Sequence, residues 1–312
     1  MKIALIGYGE VGRILAEDLR VQGREVTAFD MKLQREATAT PLRAHAAAHG
    51  VRLADGPAPA VAGAELVISA VTASQTVAVA QTAAPGLAPG AFFLDFNSAS
   101  PGAKGQAAQV VNAAGGRYVE GAVMTSVPPY RIRVPLLLGG PHAAVLEPLL
   151  QELGFSGAKV ASDTLGVASA TKMCRSVMIK GLEAMVIESF TAARAHGVED
   201  AVIASLHETF PGIDWEKQAS YFFQRAIEHG RRRAEEMREV AVTVKEAGLD
   251  AFSAAGTADR QAQVADLADA GAFGIRGEPG FARSADWRTE ADRLLAQPSP
   301  QPSPAGGRGG TT

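Results

Sequence analysis

The feature that most constrains this chain is the order of elements in its first thirty residues. An apolar run at residues 2–6 leads into the glycine-rich segment 7–12, which reads Gly-Tyr-Gly-Glu-Val-Gly. An amphipathic stretch and a second apolar run follow, and the second run ends at Asp30. This order predicts a strand, a tight turn, a helix and a second strand, which is the unit that binds a dinucleotide pyrophosphate.

Each glycine of the segment has a predicted task. Gly7 permits the tight turn, Gly9 lets backbone N–H groups approach the pyrophosphate, and Gly12 lets the helix pack closely on the sheet. The positive end of the helix then faces the bound anion. The residues predicted to bind the cofactor are Gly7, Tyr8, Gly9, Glu10, Val11, Gly12, Asp30, Val71, Thr72 and Asn97.

Asp30 bears on which nicotinamide cofactor is preferred. A carboxylate at the end of the second strand accepts hydrogen bonds from the ribose hydroxyls and repels a 2′-phosphate, so we expect NAD. Lys32 and Arg35 follow closely and offer cations to that phosphate, so NADP stays open.

Composition limits the classes of protein to consider. The 312 residues are 47% hydrophobic and 20% charged, enough for a large core and two domains. A net charge of −3 with no nucleic-acid-binding pattern argues against a nucleic-acid partner.

The cysteine content and the apolar runs bear on where the protein is located. The single cysteine, Cys174, forms no internal disulfide and is expected to be a small core residue. No apolar run reaches membrane-spanning length. We therefore expect a cytoplasmic protein without membrane contact.

Short apolar runs recur along the first half of the chain with helical stretches or turns between them. This spacing predicts an α/β fold with a doubly wound, mostly parallel sheet. The pair 117–123 and 134–138 lacks an intervening helix and is expected to be antiparallel, joined by a candidate binding loop at 124–133. The further runs are 51–53, 66–70, 92–95 and 159–161.

The second half has a helical pattern. Residues 165–196 predict one helix of about 30 residues that joins two domains. Further helical stretches are predicted at 201–210 and 215–247, and Pro211-Gly212 and Gly230 punctuate this pattern. The predicted organisation is a Rossmann domain at 1–163, an all-helical substrate and dimerisation domain at 164–296, and a disordered tail at 297–312 rich in Pro, Gly and Ser.

Residues that could bind cofactor or substrate come directly after the fourth and fifth predicted strands. Val71 and Thr72 come after one strand, and Asn97 and Ser98 after the next, so both pairs lie at the carboxyl edge of the sheet. Asn97 and Ser98 can orient a nicotinamide amide or a substrate carboxylate, although both are also ordinary turn residues. The following Ser-Pro pair at 100–101 is typical of a helix start.

The head of the long helix carries the candidate acid or base. Lys172, Arg175 and Ser176 stand at i, i+3 and i+4, so they project from one side of the helix. Hydride transfer at an alcohol or carbonyl needs a group that removes or donates the hydroxyl proton. Burial and a neighbouring cation bring a lysine into the pKa range where it does both. The alternative is a surface lysine paired with an acid, which the small and apolar neighbours disfavour.

Together these segments resemble the β-hydroxyacid dehydrogenase family, which includes 3-hydroxyisobutyrate dehydrogenase and 6-phosphogluconate dehydrogenase. The resemblance covers residues 1–290. It implies Lys172 as the catalytic lysine, a helical C-terminal domain and a homodimer. The segments that carry it are Gly7 to Gly12, Asp95 to Pro101, Glu120 to Ser126 and Gly166 to Lys172.

The chain departs from the family pattern at three places. Ser176 stands where the family usually has Asn, with Arg175 beside it, and residues 124–126 read Met-Thr-Ser in place of Ser-Gly-Gly. Ile179 occupies the position of the second acid of the 6-phosphogluconate enzymes, which argues against oxidative decarboxylation. The pattern is most similar to a less characterised branch with a phosphogluconate-dehydrogenase-like C-terminal domain, and it argues against a small unsubstituted hydroxy acid as substrate.

The leading hypothesis is an NAD(P)-dependent oxidoreductase that acts on a hydroxy acid or related carbonyl compound, with Lys172 as general acid and base. The alternatives are an imine reductase on the same scaffold, which Lys172 counts against, and a non-catalytic redox sensor. No metal is expected, because the histidines lack HxH and HExxH spacing. Whether Arg131 and Arg133 contact substrate stays open. The expected substrate-binding residues are Asn97, Ser98, Thr125, Ser126, Arg175 and Ser176.

Overall fold

Strands and helices alternate through the first half of the chain and helices fill the second. The computed structural model describes residues 1–282 and 286–297. The strands are β1 Lys2–Ile6, β2 Glu25–Phe29, β3 Arg52–Leu53, β4 Leu66–Ser69, β5 Phe92–Asp95, β6 Arg117–Val123, β7 Leu136–Gly139 and β8 Ala158–Ser162. The helices are α1 Glu10–Val21, α2 Glu36–His49, α3 Pro57–Val61, α4 Thr76–Ala83, α5 Pro101–Ala113, α6 Ala143–Glu152, α7 Val167–His196, α8 Glu199–Thr209, α9 Trp215–Glu246, α10 Phe252–Asp269 and α11 Trp287–Leu295.

The strands form one sheet in the order β3-β2-β1-β4-β5-β6-β7-β8. All pairs are parallel except β6 with β7, so the predicted doubly wound sheet and its antiparallel pair are both confirmed. β4 and β5 are buried along their whole length because helices cover both faces of the sheet. Their carboxyl ends therefore lie side by side at one edge, as the sequence predicts.

The long helix α7 spans 30 residues, close to the predicted range. Within the residues described, no helix is both long and apolar enough to cross a membrane. The break expected at Pro211-Gly212 is confirmed, since it separates α8 from α9. The predicted helical stretch 215–247 is confirmed by α9, which continues without interruption through Gly230. A Cβ on Gly230 would lie 2.7 Å from the backbone oxygen of Gln261, so this glycine allows α10 to approach closely.

Contacts between residues divide the chain into two units. The first contains residues 1–181 and 234–258, and the second contains 182–233 and the part from 259 onward. The predicted boundary after residue 163 differs from this division, because residues 164–181 group with the sheet. The second unit has its own aromatic core, which includes Phe190, Trp215, Phe223 and Trp287. The tail is predicted to be disordered over residues 297–312, and of these residues 298–312 lie outside the described part.

Candidate functional site

The glycine segment forms a turn between β1 and α1 with a packed side and an open side. Gly7 has a φ of +96°, and a Cβ there would collide with the backbone oxygen of Ala70. A Cβ on Gly12 would collide with the backbone oxygen of Gly7. A Cβ on Gly9 would meet no described atom within 4 Å. Gly9 is also the residue that precedes α1, so the open space lies at a helix N-terminus and fits a pyrophosphate.

Asp30 lies beside this turn. Its Oδ2 accepts a hydrogen bond of 2.8 Å from the backbone N–H of Tyr8, and its Oδ1 accepts one of 2.9 Å from the backbone N–H of Lys32. We call the glycine segment 7–12 the cradle. The carboxylate of Asp30 is thus held at the end of β2 next to the cradle, where a ribose-binding acid is expected. Lys32 and Arg35 are exposed.

The side chains of the predicted cofactor-binding residues differ in their exposure to solvent. The Tyr8 side chain is fully buried, and its hydroxyl lies 2.8 Å from His45 Nδ1 in α2, so only its backbone faces the cradle. Burial raises the pKa of Tyr8 to about 12. Glu10 is exposed, Val11 is half-buried, and Thr72 is exposed at the end of the segment after β4.

Lys172 meets the carboxyl edge of the sheet at Ser98. Its Nζ donates a hydrogen bond of 2.5 Å to Ser98 Oγ. Both residues are half-buried, so each packs against the protein and keeps part of its surface open. The structure therefore brings together the candidate acid/base and one predicted substrate residue from distant parts of the sequence.

Both the oxygen and the nitrogen of the Asn97 side-chain amide form hydrogen bonds within the protein. Its Oδ1 accepts a 2.8 Å hydrogen bond from the backbone N–H of Val71, and its Nδ2 donates a 3.0 Å hydrogen bond to Ser69 Oγ. The residue is 3% exposed. Asn97 thus fixes the ends of β4 and β5 relative to each other, and its role toward cofactor or substrate stays a prediction.

A buried polar group lies beneath this edge. Lys104 Nζ lies 2.7 Å from the backbone oxygen and 3.1 Å from Oδ1 of Asp95, and Tyr118 donates a 2.6 Å hydrogen bond to Asp95 Oδ2. Burial, and then the charge of Asp95, raise the pKa of Tyr118 well above its usual value, so it remains a donor. Neither Lys104 nor Tyr118 is predicted from the sequence, because nothing in their spacing distinguishes them from surface residues.

Glu120 holds the start of α7. Its Oε1 accepts hydrogen bonds of 2.9 Å from the backbone N–H groups of Gly166 and Ala168, and its Oε2 accepts one of 2.8 Å from Ser169 Oγ. The side chain is fully buried, and a carboxylate at a helix N-terminus is stabilised by the helix dipole. A Cβ on Gly139 would collide with this carboxylate, so the glycine leaves the space that Glu120 occupies.

The other predicted substrate residues vary in their surroundings. Ser176 is buried, and its Oγ lies 3.3 Å from Nζ of Lys180, which forms a 2.9 Å ion pair with Glu236 of α9. Arg175 is exposed and contacts the backbone oxygen of Met124 at 3.4 Å. Thr125 is exposed and Ser126 is half-buried in the loop after β6.

Two further glutamates of α9 contact the segment that follows Ser98. Glu239 accepts a 2.9 Å hydrogen bond from the backbone N–H of Ser100, and Glu246 accepts one of 2.9 Å from Ser100 Oγ. Glu246 also lies 3.2 Å from the backbone nitrogen of Gly102. These carboxylates bind the N-terminus of α5, of which Ser100 is the N-cap, so α9 helps to fix the substrate segment.

Arg131 has a partner in the protein. It has a φ of +54°, and its guanidinium donates hydrogen bonds of 2.6 and 2.8 Å to Glu17 and Asp18 of α1. Its first role is therefore to attach the loop after β6 to α1. Arg133 is exposed. The interpretation of Cys174 as a core residue is wrong, because the side chain is exposed on α7.

Comparison with known proteins agrees with this architecture. Residues 2–161 match the NAD binding domain of 6-phosphogluconate dehydrogenase, and residues 193–264 match a domain of unknown function, DUF1932. A conserved hypothetical protein from Sinorhizobium meliloti has 37% identity and a TM-score of 0.72, over 94% of this chain and 95% of that one.

Two more solved structures are similar. Conserved protein MTH1747, described as resembling 3-hydroxyacid dehydrogenases, has 27% identity and a TM-score of 0.65, over 86% of this chain and 99% of that one. 3-Hydroxyisobutyrate dehydrogenase of Mycobacterium tuberculosis, solved with L-serine, shares the fold at 18% identity and a TM-score of 0.69, over 95% of this chain and 99% of that one.

The fold and the cradle define an NAD(P)-binding oxidoreductase with a Rossmann domain and an all-helical C-terminal region. The chain belongs to the β-hydroxyacid dehydrogenase family, as its resemblance to that family predicts.

Proposed function

We propose that the protein transfers hydride between a nicotinamide cofactor and a hydroxy acid or related carbonyl compound, with Lys172 as general acid and base. The observation that carries the proposal is the hydrogen bond between Lys172 Nζ and Ser98 Oγ. It joins the head of α7 to the carboxyl edge of the sheet, where cofactor and substrate meet in such folds.

The cradle at Gly7, Gly9 and Gly12 would hold the pyrophosphate, and Asp30 would bind the adenosine ribose. The bound nicotinamide supplies the hydride acceptor or donor. Lys172 accepts the hydroxyl proton when an alcohol is oxidised, and its ammonium donates a proton to the oxygen when a carbonyl is reduced.

Several residues would keep this geometry. Ser98 accepts the hydrogen bond from Lys172 and so limits the positions of Nζ. Glu120 fixes the first turn of α7, and Glu239 fixes the backbone at Ser100. We propose Asn97, Ser98, Thr125, Ser126, Arg175 and Ser176 as the residues that line the substrate.

We also propose a cytoplasmic homodimer that binds a small acidic substrate. The dimer is motivated by apolar side chains on α7 that solvent reaches, since Met178 is 71% and Ile179 is 44% exposed.

A turnover screen tests the proposal. Purified protein is assayed with NAD, NADP and their reduced forms against hydroxy acids, keto acids, aldehydes and cyclic imines. Turnover of a hydroxy acid or its carbonyl partner supports the proposal. Turnover of cyclic imines alone would favour an imine reductase, and tight NADH binding without turnover of any compound would favour a sensor.

A further inference from the structure

A cluster of two histidines and a glutamate lies on the side of the Rossmann domain near the cofactor cradle. Glu17 comes from α1, and His45 and His49 come from α2. One ligand atom from each residue lies within 4.8 Å of the ligand atoms of the other two. The two imidazole rings are stacked with their centroids 4.5 Å apart, because i and i+4 positions share one side of a helix.

We propose that Glu17, His45 and His49 form a binding site for one zinc ion. Two imidazole nitrogens and one carboxylate oxygen are a donor set that zinc accepts, with water as a fourth ligand. Magnesium and calcium prefer sites made of oxygen atoms, so the two nitrogen donors favour zinc. Zinc draws such ligands to about 2.0–2.2 Å, which small side-chain rotations on two adjacent helices supply.

The surroundings of His45 are those of a metal ligand. A histidine that binds metal through one ring nitrogen uses the other in a hydrogen bond that fixes the ring. Tyr8 Oη lies 2.8 Å from His45 Nδ1 and is placed to accept a hydrogen bond from it. Nε2 then points to the cluster, where it lies 2.9 Å from Glu17 Oε1.

The local charges permit a cation. Glu17 and Asp18 supply two carboxylates, and Arg131, which contacts both, supplies one positive charge. Arg131 bonds to Oε2 of Glu17, so Oε1 remains directed toward the histidines. The hydrogen bond from Arg131 also orients the carboxylate as a second-layer partner does in metal sites.

The position of the cluster gives the ion a structural role. α1 begins at the glycine cradle, and Tyr8 is part of the cradle itself. A zinc ion would join α1 to α2 and so stabilise the part of the domain that binds the dinucleotide. Because it binds the folded chain, it raises the temperature of unfolding.

Zinc competition with a chromogenic chelator tests the site. The protein is first freed of metal with EDTA, and all variants carry Cys174→Ser so that the exposed thiol adds no zinc ligand. We expect one zinc ion per chain, and at least a tenfold loss of affinity in His49→Ala and in Glu17→Gln. His142→Ala, which removes a histidine outside the cluster, is the matched control and keeps the affinity unchanged.

His49→Ala is the decisive variant because it leaves the hydrogen bonds of His45 intact and is expected to fold. Zinc should raise the unfolding temperature of the parent protein and leave that of His49→Ala unchanged. X-ray absorption of the zinc-loaded protein should show nitrogen and oxygen ligands with two imidazoles. The proposal is overturned if the parent binds no zinc at micromolar concentration, or if His49→Ala binds it as tightly as the parent. These measurements do not depend on the enzymatic activity.

Discussion

Lys172 and Ser98 are 74 positions apart in the sequence, yet Nζ of the lysine lies 2.5 Å from Oγ of the serine. Two unrelated packing arrangements produce this contact. The sheet places Ser98 just past the end of β5, and Glu120 holds the N-terminus of α7 so that Lys172 projects toward that edge. The proposed chemistry therefore depends on groups that hold the helix as well as on the lysine itself.

Replacing Glu120 should disturb the lysine indirectly. Glu120→Ala removes three hydrogen bonds and leaves the buried N–H group of Ala168 and the part-buried one of Gly166 without this acceptor, at a cost of about 1–3 kcal/mol for each buried unsatisfied group. We expect lower kcat with little change in the dissociation constant of NADH, together with a lower free energy of unfolding. Denaturant unfolding and steady-state kinetics measure both effects.

Ser169→Ala is the matched control for Glu120, because it removes only one of the three hydrogen bonds. It should cost about 1–3 kcal/mol of stability, because Oε2 of Glu120 loses its donor, and leave kcat close to that of the parent protein. Equal loss of kcat in both variants would contradict a positioning role that depends on the backbone of α7.

The glycines of the cradle should respond differently to alanine. Gly7→Ala and Gly12→Ala place a Cβ against backbone oxygens, so we expect poor folding. Gly9→Ala places its Cβ in open space, so the protein should fold normally but bind NADH at least tenfold more weakly. Fluorescence titration and thermal unfolding separate the two outcomes.

Gly105 supplies a control for Gly9, because it lies inside α5 and a Cβ added to it would have no described atom within 4 Å. Gly105→Ala should raise stability by up to about 1 kcal/mol and leave NADH binding unchanged. Normal NADH affinity in Gly9→Ala would contradict the assignment of the cradle to the pyrophosphate.

Asp30 should direct the choice of cofactor. Its carboxylate repels a 2′-phosphate, so kcat/KM should be higher with NAD than with NADP, and Asp30→Asn should reduce the ratio. Asp55→Asn, at an exposed acid on the same domain, should leave the ratio unchanged. A clear advantage of NADP in the parent protein would refute this role of Asp30.

The apolar side chains exposed on α7 predict association. Sedimentation equilibrium at micromolar concentration should give twice the chain mass of 32.3 kDa. Deletion of residues 297–312 should leave the dimer and the activity intact, because the segment removed has little apolar content. A monomer under these conditions would contradict the proposed dimer.

The parts of the structure that sequence predicts well are those with local signals. The glycine turn, the buried strands β4 and β5, and the long helix α7 each have a strong pattern over a few consecutive residues. The packing role of Gly230 within α9 could not be predicted, because a helical glycine that allows close packing has the same local sequence as one that ends a helix.

The charged residues that hold the backbone of the site could not be predicted from local sequence patterns. Glu120 and Glu239 contact backbone groups 48 and 139 positions away in sequence, and Lys104 contacts the backbone oxygen of Asp95 on the preceding strand. Such contacts depend on how the elements pack. The cluster of Glu17, His45 and His49 was also missed, because its third ligand comes from a different helix and the two histidines are separated by three residues.

Kinetics of Lys172→Ala test the central claim most directly, using the substrate that the turnover screen identifies. We expect kcat/KM to fall by about 10²- to 10⁴-fold, because the proton transfer loses its catalyst. The dissociation constant of NADH should stay nearly unchanged, since the cradle belongs to different elements, and Lys159→Ala, at an exposed lysine of β8, should match the parent. Full turnover in Lys172→Ala would contradict the account.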